Sequence, residues 1–206
     1  MLYIGVDLGT SAVKLLLMDG NGNIQKIVSK EYPLYFPYPG WSEQNPQDWF
    51  AQSMEGIKEL TSECDKSQVA GISFGGQMHG LVVLDKEEQV IRPAILWNDG
   101  RTTKETDYLN QVIGKDKLSE YTANIAFAGF TAPKILWMKE NEPENYKKSL
   151  KDYAAKRLSG LPAFRFVLYR YVRCFGNAAH GCGKQMLVKR NVRYMWYYRR
   201  TVAKIV

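Results

Sequence analysis

Residues 3–22 read YIGVDLGTSAVKLLLMDGNG, and the fold class turns on them. Two short apolar runs, 3–8 and 13–19, are broken by a Gly-Thr-Ser turn, and a third run with alternating character follows at 24–32. The Asp19-Gly20-Asn21-Gly22 stretch between the second and third runs is a strong hairpin signal, because glycine and asparagine tolerate the positive φ angles of tight turns. The chain therefore opens as a β-meander.

Residues 33–44, rich in Pro, Tyr and Gly, read as a loop. Asn45 can then cap a helix with Pro46 at its first position, running to about Ser62. The spacing predicts an inward face of Phe50, Met54, Ile57 and Thr61, with Gln52, Glu55, Lys58 and Glu59 outside. Strands are predicted at about 68–74, 80–84 and 93–97, and helices at about 101–113, 131–140 and 142–158. Strands alternate with helices, while the opening hairpin forces antiparallel neighbours. The class is α/β with a mixed sheet.

Composition narrows the function classes. The chain has 206 residues, 45% of them hydrophobic and 13% aromatic, which suits a folded core. Cys64, Cys174 and Cys182 show no close pairing, and no charged-then-apolar leader or long apolar run is present; these features predict a soluble cytoplasmic protein with no membrane partner. The net charge of +7 hides two unlike parts. Residues 1–150 carry 15 Lys+Arg against 20 Asp+Glu, whereas residues 151–206 carry 13 against 1, with no acid after Asp152.

Three turns carry candidate chemistry. Asp7-Leu8-Gly9-Thr10-Ser11-Ala12-Val13-Lys14 combines an acid, a glycine, two hydroxyls and a lysine, the groups that handle phosphate and Mg²⁺, although an ordinary hairpin can look the same. It is not a Walker loop, since GxxxxGK[ST] is missing and no helix follows. Gly75-Gly76-Gln77-Met78-His79-Gly80 puts an amide and an imidazole on a glycine-flanked turn, which either faces a ligand or closes locally. Leu96-Trp97-Asn98-Asp99-Gly100-Arg101 offers an indole as a flat platform for a sugar, with polar neighbours for hydroxyls, or else a buried Trp beside a helix cap. Trp41-Ser42-Glu43-Gln44 and Phe127–Lys134 read, taken singly, as structural loops. In the tail, Gly181-Cys182-Gly183-Lys184 lacks the remaining phosphate-loop residues, and Cys174, His180 and Cys182 lack a fourth metal ligand.

Taken in order, YIGVDLGTSAVK, GWSEQNPQDWF, GQMHG, ILWNDGR and GFTAPKILW resemble the FGGY carbohydrate kinases over about residues 1–160. The last three segments are similar to the branch that phosphorylates xylulose. The resemblance implies an actin-like, ribonuclease-H-like N-terminal domain, ATP and Mg²⁺ as cofactors, and transfer of the γ-phosphate to D-xylulose. It implies that Met78, His79, Trp97 and Asp99 bind the sugar, that Asp7 organises Mg²⁺ directly or through water, and that Thr10, Ser11 and Lys14 face the phosphate. It also implies a homodimer for the full-length protein, and a general-base Asp and a nucleotide domain beyond residue 206. This chain is accordingly expected to be inactive. The alternatives are a non-catalytic sugar-binding module, or a basic module that binds nucleic acid through the tail.

Lys151–Gly160 still resembles the family, but the likeness ends there. Codons starting two bases earlier than those of Tyr171–Trp196 permit MSDASGTLLMDVENRCWSKEMCDIC, and those of Trp196–Ile205 permit GIIGGLLPKL, both family-like. Residues 161–206 are therefore expected to be out-of-frame translation with no native fold.

Overall fold

The computed structural model describes residues 1–150 apart from Lys86 and Glu88. The expected end of the last helix and the whole of the 161–206 tail lie outside the described residues.

The opening meander forms as expected. Strands β1 (Leu2–Leu8), β2 (Ala12–Asp19) and β3 (Ile24–Glu31) pair antiparallel, with Asp7 opposite Lys14 and Leu8 opposite Val13 at the first turn. The second turn is locked by Asp19, whose carboxylate accepts from the backbone N–H groups of Asn21 and Asn23. After the loop, β4 (Glu43–Gln44) leads into α1 (Pro46–Leu60), capped by the Asn45 side chain accepting from Gln47 N–H. Strand β5 (Val69–Gly76) then lies parallel to β1, which makes the sheet mixed with order β3-β2-β1-β5.

Alternate residues of the first two strands, Ile4, Val6, Leu8, Val13, Leu15 and Leu17, are buried with Trp49 and Leu60 of α1 in one core. The inward face of α1 is Trp49, Ser53, Gly56 and Leu60, one position before the stripe predicted from spacing. Phe50 and Met54 are each 39% exposed, while Ile57 and Thr61 do turn inward. Gly56 decides the rotation: a Cβ there would overlap Leu15, so the bare helix backbone sits on β2 where a larger side chain would hold it off.

The predicted strand at 80–84 is reduced to single bridges, Leu81 with Ile95 and Leu84 with Val90, beside the two-residue β6 (Ala94–Ile95) that pairs with β4. Pro93, without an N–H, cannot extend β6. Helix α2 (Thr103–Asp107) continues into a π-helical segment, Tyr108–Gly114, and Gly114 at φ +95° turns the chain into α3 (Lys115–Thr122), which spacing missed because its apolar residues are sparse. Helices α4 (Thr131–Asn141) and α5 (Pro143–Leu150) follow. Among the described residues, no helix is long and apolar enough to cross a membrane.

Candidate functional site

The three candidate turns converge at the ends of β1 and β5. Gly9 closes the first turn with its N–H on the carbonyls of Asp7 and Ala12. The carbonyls of Leu8, Gly9, Thr10 and Ser11 are each held: by Gln77 N–H at 3.0 Å, the Tyr32 hydroxyl, the Gln44 side-chain amide at 2.6 Å and Tyr32 N–H at 3.3 Å. Burial, with the charge of Asp7 behind it, raises the Tyr32 phenol well above its usual range, so it remains a donor. With its carbonyls tied down, the turn leaves Asp7, Ser11 and Lys14 exposed. Among the described residues, no partner meets the Asp7 carboxylate.

Thr10 bridges the other two turns. Its hydroxyl donates to Gln77 at 3.0 Å and accepts from the Trp97 indole at 3.1 Å. Trp97 is 46% exposed, so the sequence alternative of a buried tryptophan is excluded. Its backbone rests on Gly129, where a Cβ would overlap the Trp97 carbonyl oxygen.

Met78 is exposed, and His79 is half-buried at φ +62°, a left-handed conformation that non-glycine residues rarely adopt. Three contacts hold it there. The His79 carbonyl accepts from the Thr131 hydroxyl at 3.2 Å and from Lys134 Nζ at 2.9 Å, and its ring stacks on Phe130 with centroids 4.2 Å apart. Burial, with a smaller push from Lys134, holds the imidazole below the usual histidine value. Lys134 is itself fully buried, and desolvation lowers its amine to about 7, with Asp99 opposing and Arg101 assisting. The Lys134 amine donates to two carbonyls, those of His79 and Gly129.

Asp99 stands differently from the expected pocket-lining group. It is 2% exposed, and its oxygens accept from Ser42 N–H at 2.6 Å, from Arg101 N–H and from the Arg101 guanidinium. Arg101 is equally enclosed, stacked 3.6 Å over Trp41 and paired with Glu43, which also meets Arg92. This buried ion network fixes the loop that presents Trp97, and Asn98 is left as the exposed polar residue of that turn.

Sequence reasoning passed over Gln44, Phe130 and Lys134, all on segments read singly as structural. Nothing in residue type distinguishes a buried amide that holds a turn from one on the surface, and the only signal was the linear order of the segments.

The model of the FGGY family of carbohydrate kinases, N-terminal domain, covers residues 2–163. This chain belongs to that family. Among curated FGGY relatives, the xylulose kinase of Bacillus subtilis is 48% identical over 165 residues, covering 77% of this chain and 33% of its own length. Among solved structures, a xyloylose kinase from Brucella ovis is 40% identical with TM-score 0.68, covering 72% of this chain and 31% of that one. A gluconate kinase from Lactobacillus acidophilus superposes with the same TM-score at 29% identity, over 72% of this chain and 30% of that one. The chain thus spans about a third of the length of its FGGY relatives. Its fold is that of the actin-like sugar kinases, as the mixed sheet and resemblance predicted.

Proposed function

We propose that this chain is the sugar-binding first domain of a kinase that transfers the γ-phosphate of ATP to the terminal hydroxyl of D-xylulose, giving D-xylulose 5-phosphate. The observation that carries the reading is Thr10, which joins a phosphate-type turn to the exposed Trp97 within hydrogen-bond distance. A phosphoryl acceptor and donor must meet in line, and a residue shared by the two sides places them together. The names of the relatives support xylulose as the acceptor.

In this reading Met78, His79 and Trp97 contact the sugar, and Asp99 acts from behind by fixing the Trp97 loop. Asp7 suits Mg²⁺, being an exposed carboxylate free of partners among the described residues, and oxygen donors are what that ion takes. Bound Mg²⁺ would neutralise charge on the transferring phosphates. Ser11 and Lys14, exposed on and beside the same turn, would face the transferring phosphate. We assign the general base and the adenine site to parts of the parent protein outside this chain, place the protein in the cytoplasm, and expect a homodimer for its full-length form.

The test is calorimetric titration of the 206-residue chain with D-xylulose and D-gluconate, the latter because a gluconate kinase shares the fold equally well. Preference for D-xylulose is expected; preference for gluconate would overturn the substrate assignment. With ATP and Mg²⁺ added, no D-xylulose 5-phosphate is expected, and measurable turnover would refute the assignment of the base elsewhere.

We further propose that residues 1–160 form the domain and that 161–206 are translated out of frame. The family match ending at residue 163 supports this division. A fresh DNA read from codon 145 onward decides it. A one- or two-base correction that opens SDASG supports the proposal, and an intact frame with nothing family-like downstream sinks it.

A further inference from the structure

The polar contacts behind the site form one connected chain whose direction can be derived. The Trp49 indole can only donate, and it donates to Gln44 Oε1 at 3.1 Å. That fixes the Gln44 amide: its oxygen faces Trp49, so its nitrogen faces the carbonyls of Thr10 at 2.6 Å and Pro33 at 3.2 Å. The same oxygen accepts from Gln77 Nε2 at 3.3 Å, which turns Gln77 Oε1 toward Thr10. The Thr10 hydroxyl must then donate to Gln77 and can only accept from Trp97, whose indole, like that of Trp49, has a proton to give and none to take. Gln44 and Trp49 at the buried end are 0% and 1% exposed, so water does not compete for their groups.

Resting on the sugar-site reading above, we infer that the Thr10 hydroxyl serves the sugar wall: the Trp49–Gln44–Gln77–Thr10 relay uses up its proton and orients Trp97, leaving the phosphate side of the turn to Ser11, Lys14 and backbone N–H groups. Gln44 and Gln77 are positioning residues, and Thr10 is the link. A threonine in such a turn looks from sequence like a phosphate donor. Here its single proton is already committed.

The experiment follows indole N–H resonances of the ¹⁵N-tryptophan-labelled 206-residue chain, with Trp97→Phe assigning the Trp97 signal, and measures D-xylulose affinity in parallel. Thr10→Val is expected to move the Trp97 resonance upfield, speed its exchange with water and weaken D-xylulose binding roughly fivefold to tenfold, the cost of one lost hydrogen bond. Thr10→Ser restores both readouts. Gln77→Met, at a position that receives no bond from the Trp97 indole, moves the same resonance and keeps the test open should Thr10→Val fail to fold. Trp97→Phe weakens binding to a similar degree, and the double variant Thr10→Val with Trp97→Phe loses little more. A Trp97 resonance that ignores both Thr10→Val and Gln77→Met, or losses that multiply in the double variant, would overturn the inference. If the unmodified chain fails to bind D-xylulose while the Trp97 signal still answers to Thr10, the wiring stands and the sugar reading fails.

Discussion

At the scale of single residues, the backbone of the candidate site is held in place by neighbouring side chains. His79 keeps a left-handed conformation because Thr131 and Lys134 hold its carbonyl and Phe130 its ring. Lys134 makes this measurable through pH. Its amine falls to about 7 in the fold, against 10.5 ordinarily, so between those values the unfolded chain binds more protons and stability rises with pH. The urea midpoint is expected to climb from pH 7 to pH 9, and Lys134→Met to flatten that climb while lowering the midpoint throughout. Gly129→Ala forces a methyl into the Trp97 carbonyl; overpacking of that kind costs about 1–3 kcal/mol, measurable by urea unfolding, and should weaken D-xylulose binding as well. These dependences were illegible in sequence, because Lys134 reads as an ordinary amphipathic helix residue until the fold buries it.

At the scale of elements, α1 shows how a stripe predicted from periodicity can be right in period and wrong in phase. Of the predicted stripe Ile57 and Thr61 turn inward but Phe50 and Met54 do not, and the sheet receives Trp49, Ser53, Gly56 and Leu60, because Gly56 permits close approach and Trp49 finds an acceptor in Gln44. Leu60→Ala should cost about 2–5 kcal/mol, whereas Met54→Gln should stay within about 0.5 kcal/mol, as read from urea denaturation. Equal costs would restore the phase predicted from spacing. The start of the same helix was fully legible, since Asn45-Pro46 carries its own mechanism: Asn45→Ala should lose about 1 kcal/mol with the cap.

At the scale of the whole molecule, the described sheet ends at β5, where Ile72 and Phe74 are exposed beside the site. Apolar side chains on an edge strand favour association. The purified chain is expected to elute as more than a monomer in light-scattering chromatography and to bind a hydrophobic dye; a monomer silent to the dye would count against this.

The meander, the α/β class, the capped helix and the order of the motif segments are legible along the chain, since turn chemistry, strand alternation and caps act within a few residues. The phase of α1, the burial of Asp99 and Lys134, and the commitment of the Thr10 hydroxyl emerge only on folding. Each of these depends on groups distant in the chain, Leu15 against Gly56, Asp99 against Ser42, Thr10 against Gln77 and Trp97, and burial and hydrogen-bond direction have no local signature.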